Sequence, residues 1–213
     1  MLVIVQARMG SHRFLGKVLA GLCGQPVIQH VIERCKKAGP TVLAIPSTDI
    51  EIVEAVGGLV AIYYHPGDEN DVLSRYYHAA KAFKADVVTR VTGDCPMIDP
   101  GTIEAVVRLR DAARADYCAN EPYIPGFGLE CFTFEALEEA YVKSTEREHV
   151  TTYMRPPTTL MSGARLVEED KYRPGVNLSI DTPEDLELVR EIVRALGPDC
   201  RTKEIVQWID MRH

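Results

Sequence analysis

The stretch LVIVQARMGSHRFLGK, residues 2–17, joins a short apolar run to a positively charged loop. The apolar run is typical of a buried strand, and the loop after it contains two glycines and three Arg or Lys side chains. No acidic residue precedes Glu33, although acidic residues outnumber Lys and Arg by 31 to 24 in the whole chain. A loop of this composition in a protein of net charge −7 indicates a local site for an anionic ligand.

Apolar runs alternate with helical patterns through the first half of the chain. Helices are predicted to begin near Pro26, Ile50, Asp71 and Thr102, and Asp71 is also a suitable N-cap residue. This alternation predicts a mixed, mostly parallel sheet with helices on both faces, which is a Rossmann-like three-layer α/β/α fold. The strand-like runs are LVIVQ (2–6), TVLAIP (41–46), LVAIYY (59–64) and DVVTRV (86–91).

The second half of the chain is less regular. A final strand, VNLSID (176–181), is predicted to lead into a helix that Thr182 caps. We interpret residues 120–175 as an insertion that completes the site or forms an oligomer contact, within a single domain of residues 1–213. The other predicted features are strands at DYCAN (116–120) and LECFTF (129–134), helices over 135–142 and 146–154, and a break at Pro156-Pro157.

Composition argues against several classes of protein. A chain of 213 residues with 46% apolar residues is long enough for one large domain, and its acidic balance argues against a general nucleic-acid binder. No apolar run is long enough to cross a membrane and no signal-peptide pattern is present, so we expect a cytoplasmic protein without a membrane partner. Six cysteines without a CxxC pair favour reduced thiols, and Cys95 is interpreted as structural rather than nucleophilic.

The loop after the first strand matches neither of two familiar phosphate-binding patterns. A P-loop requires GxxxxGK[ST], whereas five residues separate Gly10 from Gly16 and Val18 follows Lys17. A GxGxxG fingerprint that opens a helix is also absent. However, ligands of open parallel sheets bind at the carboxyl ends of strands, and glycines with Arg and Lys side chains suit phosphate oxygens. Phosphate binding is therefore favoured over a solvated basic turn.

Two aspartates follow predicted strands and are candidate magnesium ligands. Asp94 follows DVVTRVTG, and Asp181 ends VNLSID, so both carboxylates are expected at strand ends of one sheet. Two carboxylates together with substrate phosphates suit Mg²⁺, which prefers few protein oxygens. The alternative is that Asp94 begins a turn with Pro96 and that Asp181 only precedes the helix.

Five motifs in order resemble the cytidylyltransferases that activate acidic sugars, in particular the spore-coat polysaccharide branch. More distantly, they resemble 3-deoxy-manno-octulosonate and acylneuraminate cytidylyltransferases. The first motif matches the ARxxSxRxxxK loop of that family. The motifs are VQARMGSHRFLGKVL (5–19), GDENDVLSRYYHAA (67–80), VVTRVTGDCPMIDP (87–100), EREHVTTY (146–153) and SIDTPEDLELVR (179–190).

The resemblance implies the nucleotide-diphospho-sugar transferase fold and Mg²⁺-dependent transfer of CMP from CTP to a sugar, expected to be acidic, with release of pyrophosphate. It also implies a homodimer with residues 120–160 as the expected contact, in surface or spore-coat polysaccharide biosynthesis. Arg13, Lys17 and Asp94 would be catalytic, and Asp94 and Asp181 would hold the metal. The implied nucleotide-binding residues are Gln6, Ala7, Arg8, Gly10, Ser11, Arg13, Lys17, Ser47, Asp49, Asn70, Asp71 and Gly93.

The sugar side is expected to include five further residues. The EREHV segment could equally form a charged helical face or a subunit contact instead of binding the substrate directly. The sequence departs from the family at Phe14-Leu15, where Leu-Pro is usual, and at Gly128, where the related branch often carries Asp. The expected sugar-side residues are Arg75, Arg90, Glu130, Arg147 and His149.

Two other functions remain open from the sequence. The first is a glycosyltransferase or a sugar-1-phosphate nucleotidyltransferase of the same fold. The glycosyltransferase should show an acid-x-acid pair at a strand end, which TGDCPM lacks. The second is a non-catalytic nucleotide-binding subunit of a polysaccharide assembly. The intact basic loop and the two aspartates argue against the second alternative.

Overall fold

The computed structural model describes residues 1–11, 13–121, 123–155 and 161–212, so the predicted break at Pro156-Pro157 lies outside the described residues. The strands are β1 (Leu2–Gln6), β2 (Gly21–Leu22), β3 (Gln25–Pro26), β4 (Thr41–Pro46), β5 (Ala61–His65), β6 (Val87–Thr92), β7 (Tyr117–Asn120), β8 (Glu130–Thr133) and β9 (Gly163–Leu166). The α-helices are α1 (Val27–Ala38), α2 (Ile50–Val56), α3 (Val72–Ala82), α4 (Pro100–Ala113), α5 (Phe134–Lys143), α6 (Pro183–Leu196) and α7 (Thr202–Asp210).

A seven-stranded mixed sheet runs in the order β5-β4-β1-β6-β8-β7-β9, and β2 and β3 form a separate hairpin. Strand β8 is antiparallel to β6 and β7, whereas the other neighbouring pairs are parallel. Gln6 at the end of β1 pairs with Ala44 of β4 and Thr92 of β6. The loops that follow these three strands therefore begin at the same edge of the sheet.

Apolar side chains alternate between the two faces of the sheet, as expected for extended strands. Leu2 and Ile4 of β1 pack with α3 and α5, whereas Val3 and Val5 pack with α1, α2 and α4 on the opposite face. A third apolar cluster joins α6 and α7 to the segment around Leu178. These layers confirm the predicted α/β/α architecture. None of the helices formed by the described residues has the length and apolarity to span a membrane.

Most predicted helices are present, with small differences at their starts. The Asp71 carboxylate accepts a hydrogen bond from the Ser74 amide at the start of α3, and Thr182 and Asp185 form a reciprocal capping box at the start of α6. The helix predicted from Thr102 begins two residues earlier, because the Asp99 carboxylate caps it through the Gly101 amide.

Two predicted elements are wrong. Residues 176–181 form no strand, although Leu178 and Ile180 are fully buried. Residues 146–154 form turns rather than a helix. There the Glu146 carboxylate accepts hydrogen bonds from two following backbone amides, those of Glu148 and His149, which competes with helical hydrogen bonding. Helix α7 was not predicted from the sequence.

Candidate active site

A basic cavity of about 290 Å³ lies at the edge of the sheet where β1 and β6 end. It contains three cationic side chains of the loop after β1 and the carboxylate of Asp94 from the loop after β6. Seven of the twelve predicted nucleotide-binding residues line it. The lining residues are Gln6, Ala7, Arg8, Ser11, Arg13, Lys17, Val18, Gly93 and Asp94.

The basic loop owes its shape to hydrogen bonds of its own backbone. The Met9 amide donates to Asp49 Oδ2 at 2.7 Å, and the Met9 carbonyl accepts from the Gly16 amide at 3.3 Å. Gly16 has φ of 66°, a left-handed conformation that glycine adopts without steric cost, and Lys17 follows directly. Because Asp49 is buried and bonded to this loop, the structure places it as a support of the loop rather than in the cavity wall.

Lys17 brings the two predicted metal-binding aspartates together. Its Nζ lies 2.5 Å from Asp94 Oδ2 and 2.8 Å from Asp181 Oδ1, and Arg13 Nη2 lies 2.9 Å from the same Asp181 oxygen. Burial lowers the pKa of Lys17, but the attraction of both carboxylates outweighs burial and holds the pKa above its usual value. The side chain therefore stays charged.

Asp181 reaches this position without a strand. The Ile180 amide donates to the Asp94 carbonyl at 2.9 Å, and the Leu178 amide donates to the Pro125 carbonyl at 2.7 Å. Residues 176–181 thus cross the site as a segment in which the Leu178 and Ile180 amides bond to loops outside the sheet. Asp181 therefore lies beside Asp94, as expected, but the predicted strand that was to carry it is absent.

Gly93 allows the loop after β6 to lie against β1. Its amide donates to the Gln6 carbonyl at 2.7 Å. A Cβ at position 93 would lie 2.9 Å from both Ala7 Cβ and Ile28 Cδ1, which is shorter than ordinary contact. The absence of a side chain at this position therefore sets the position of Asp94.

An adjacent cavity of about 260 Å³ shares Asp181 with the ion-pair cluster around Lys17. It combines two arginines, several hydroxyl groups and one aromatic ring, which are the groups that bind polar organic ligands. The lining residues are Arg90, Thr92, Cys95, Tyr123, Pro125, Gly126, Gly128, Leu129, Glu130, Arg155, Ser179 and Asp181.

Glu130 organises one wall of the adjacent cavity. Its Oε2 accepts from Arg90 at 3.0 Å, and its Oε1 accepts from Arg155 Nη2 at 2.7 Å, Tyr117 at 2.7 Å and Thr151 at 2.6 Å. Burial raises the pKa of Glu130, but attraction to the two arginines outweighs burial and lowers the pKa overall. A carboxylate with this many donors fixes the arginines and leaves little capacity to bind a substrate itself.

Cys95 is structural, as expected. The thiol is buried beside Thr92, whose hydroxyl lies 3.0 Å from Cys95 Sγ. Burial and the neighbouring Asp94 carboxylate raise the pKa of Cys95 to about 12. The thiol is therefore protonated at neutral pH and is a poor nucleophile.

Asn70 contacts the wall of the basic cavity through Arg8, whose Nη1 donates to Asn70 Oδ1 at 2.6 Å. Arg75 is fully buried and donates to Gln6 Oε1 at 2.6 Å, so it positions a residue of the cavity wall. Gly10 lies against the side chain of Glu69, whose Oε2 would be 2.8 Å from a Cβ at position 10.

Four other predicted residues line neither cavity, namely Ser47, Asp71, Arg147 and His149. Arg147 donates to both carboxylate oxygens of Asp71 at 3.0 and 3.1 Å, so this pair fixes the start of α3. His149 is exposed, and its backbone amide bonds to Glu146. Ser47 donates its amide to the His65 carbonyl at the end of β5. Of the five predicted sugar-side residues, the structure therefore brings Arg90 and Glu130 to the adjacent cavity, but not Arg75, Arg147 or His149.

No motif of the sequence includes Arg155 or Tyr123, although both line the adjacent cavity. Arg155 lies two residues after the EREHVTTY motif, and that proximity is the one signal that could have identified it. Tyr123 lies outside every motif, and its place in the cavity wall depends on the path of residues 123–128. Neither residue has a spacing pattern that indicates a ligand.

Comparison with known proteins agrees with this geometry. The chain matches the cytidylyltransferase family over residues 2–207. The 3-deoxy-manno-octulosonate cytidylyltransferase of Anaeromyxobacter sp. (strain Fw109-5) is 38% identical, over 92% of this chain and 97% of that protein. The spore coat polysaccharide biosynthesis protein SpsF of Bacillus subtilis is 29% identical, over 98% of this chain and 93% of that protein.

A solved structure has the same fold. A cytidylyltransferase from Leptospira borgpetersenii superposes with a TM-score of 0.88 at 27% identity, over 99% of this chain and 93% of that chain. The family match spans the basic loop, both aspartates and the adjacent cavity. The chain therefore belongs to the cytidylyltransferase family and is a nucleotidyltransferase.

Proposed function

We propose that this protein transfers CMP from CTP to an acidic sugar in a Mg²⁺-dependent reaction that releases pyrophosphate, in surface or spore-coat polysaccharide biosynthesis. One observation carries the proposal: Lys17 Nζ contacts Asp94 and Asp181 where the basic cavity meets the adjacent cavity. One junction thus brings together cationic groups for a polyphosphate, carboxylates for a metal and a second polar cavity.

The basic cavity suits the triphosphate. Arg8, Arg13 and Lys17 supply three positive charges on one loop, and they are the only Arg or Lys side chains in its wall among the described residues. Displacement at phosphorus is mainly a matter of positioning and charge neutralisation. Arg13 and Lys17 lie at the junction, so they are placed to stabilise the charge that builds up on departing pyrophosphate.

Asp94 and Asp181 fit a magnesium ion. One nitrogen atom contacts an oxygen of each carboxylate, so a single cation can also contact both. The described residues contain no cluster of three His, Cys, Asp or Glu side chains suited to a metal, and Mg²⁺ commonly takes one or two carboxylates with substrate phosphates. When bound, Mg²⁺ would offset negative charge on the phosphates.

The adjacent cavity suits the acceptor. Arg90 and Arg155 present positive charge there, and Glu130 fixes both guanidinium groups. Asp181 lines this cavity and contacts Lys17, so an acceptor bound near Arg155 would lie beside the junction. The acceptor oxygen forms a bond to the α-phosphorus while the bond to pyrophosphate breaks, and the hydroxyl proton passes to water.

We also propose that the protein is a homodimer and that it is cytoplasmic. The expected dimer contact is residues 120–160, a range that includes the edge of the adjacent cavity at Arg155. Sedimentation velocity of the purified protein tests the dimer, and a monomer at micromolar concentration would contradict it.

Calorimetry followed by a pyrophosphate-release assay tests the proposed reaction. With Mg²⁺ present, CTP should bind at least about tenfold more tightly than ATP, GTP or UTP. Pyrophosphate should then be released with 3-deoxy-manno-octulosonate or N-acetylneuraminate as acceptor, but not with a sugar 1-phosphate. CTP binding without release with any sugar acid would instead support a non-catalytic subunit.

A further inference from the structure

Tyr123 forms the wall of the adjacent cavity that lies over Gly128. A Cβ at position 128 would lie 2.6 Å from Cε2 and 2.7 Å from Cζ of the tyrosine ring, far inside ordinary contact distance. The ring therefore occupies this position because residue 128 has no side chain. Any larger residue at 128 would push the ring out of its place.

The loop that carries Tyr123 is anchored on both sides. Ile124 and Phe127 are buried in the apolar cluster with α6 and α7, and the Phe127 amide donates to the Ile124 carbonyl at 2.9 Å. The Leu178 amide donates to Pro125 at 2.7 Å, which ties the loop to the segment that carries Asp181. The ring is thus held in a defined position relative to the aspartates.

The Tyr123 hydroxyl is available to a ligand. The side chain is half-buried, and its hydroxyl makes no hydrogen bond to any of the described residues. Burial raises the pKa of Tyr123, so the hydroxyl keeps its proton at neutral pH and can donate. Across the cavity lie Arg90 and Arg155, which leaves a polar space between the guanidinium groups and the ring.

We propose that Tyr123 is a specificity-determining residue that binds the sugar acceptor, with its ring packed on the sugar and its hydroxyl donating a hydrogen bond to it. This inference rests on the proposed function. Gly128 acts only indirectly, because it provides the space in which the ring lies. The ring also limits the width of the cavity, so acceptors with a bulky substituent on that side are disfavoured.

Steady-state kinetics of four variants test the assignment, with 3-deoxy-manno-octulosonate and N-acetylneuraminate as acceptor probes. Tyr123→Ala and Gly128→Ala should each raise the KM for the acceptor used by the wild type about tenfold, with the KM for CTP within about twofold. Tyr123→Phe should raise it about three- to tenfold, because one hydrogen bond is lost. The double variant should match Tyr123→Ala, because Gly128→Ala acts through the ring alone.

Control variants at positions outside the adjacent cavity distinguish a specific effect on the acceptor from a general effect of substitution. Two control variants should leave both KM values unchanged. They are Gly21→Ala, where a Cβ would meet nothing within 4 Å, and Tyr172→Ala on the surface. Any of three results would overturn the assignment. They are additive effects in the double variant, equal changes in the KM for CTP and the KM for the acceptor, and a wild-type KM for the acceptor in Tyr123→Phe. Tyr123→Phe carries the test alone if the alanine variants do not fold.

The proposed function and this inference fail in different ways. If the wild type binds CTP but uses neither acceptor, the acidic-sugar function fails and the Tyr123 assignment fails with it. If the wild type is active and the Tyr123 and Gly128 variants match it, only the Tyr123 assignment fails.

Discussion

Lys17 and Asp94 are 77 positions apart in the sequence, yet Lys17 Nζ lies 2.5 Å from Asp94 Oδ2. The two side chains are only 12% and 19% exposed, so their attraction is less screened than that of a surface pair. The register of β1 against β6 produces the contact, since each residue belongs to the loop that leaves one of these paired strands. This ion pair connects the fold to the chemistry at the junction of the two cavities.

Lys17→Met should lower the rate of CMP transfer about 100-fold or more while the protein stays folded, because a preorganised positive charge at the departing phosphates is lost. Pyrophosphate release and circular dichroism measure the two effects. Lys37→Met is the matched control, since Lys37 pairs with Asp199 on the surface. A rate for Lys17→Met within twofold of the wild type would refute the role of Lys17.

The same variant makes a second measurement possible. In the absence of nucleotide, the Lys17 ammonium occupies the position between the two carboxylates that the metal would use. Without CTP, Mn²⁺ measured by electron paramagnetic resonance should therefore bind more tightly to Lys17→Met than to the wild type. Equal affinities would show that the ammonium and the metal do not compete.

Asp94→Asn should change how stability depends on pH. Burial opposes ionisation of Asp94, but attraction to Lys17 and the hydrogen bonds of Lys17 and Thr92 outweigh it and hold the pKa below its usual value of 3.8. The stabilisation is thus fully present above that value and is lost as the pH falls through the lower folded-state pKa.

The difference in free energy of unfolding between wild type and Asp94→Asn should therefore be largest near neutral pH and shrink below about pH 4. Urea denaturation at a series of pH values measures it, with the exposed Asp86→Asn as the control. A difference that stays constant from neutral pH to acid would contradict the assigned ion pair.

The basic cavity was predictable because its parts are local in sequence. Arg8, Arg13 and Lys17 lie on one loop, and a parallel sheet places such a loop beside the loop after its neighbouring strand, which carries Asp94. The Asp71 cap of α3 was predictable for the same reason, since a cap depends on residues within one turn.

Features that depend on distant contacts were not predictable. The alternating apolar residues Leu178 and Ile180 have the pattern of a strand, and both are buried, but their amides bond to Pro125 and Asp94 rather than to a sheet neighbour. The alternation of buried residues indicates which side chains point inward. It does not indicate which groups the backbone amides bond to. The Arg155 contact with Glu130 likewise joins segments 25 residues apart without a shared motif.

Gly93→Ala should destabilise the protein by about 1–3 kcal/mol, the usual range for overpacking a core, because the new methyl group would meet Ala7 and Ile28. It should also weaken CTP binding, since Asp94 would move. Thermal denaturation and calorimetry measure both effects. Gly21→Ala is the control, and a Gly93 variant as stable as that control would contradict the close packing.

Glu130→Ala should destabilise the protein by about 3 kcal/mol, because Arg90 and Arg155 would lose the buried carboxylate that they share. Glu121→Ala is the matched control. It removes an exposed carboxylate 3.6 Å from Arg165, and such pairs contribute about 0–1 kcal/mol. Urea denaturation compares the two variants, and equal losses would show that Glu130 has no organising role.

The proposed reaction requires the basic loop and the two aspartates to act on one polyphosphate through one metal ion. Anomalous diffraction from crystals grown with CTP and Mn²⁺ tests it most directly. We expect one manganese peak within about 2.5 Å of carboxylate oxygens of both Asp94 and Asp181, with the triphosphate against Arg13 and Lys17. A triphosphate bound in another cavity, or manganese away from either aspartate, would refute this shared metal site.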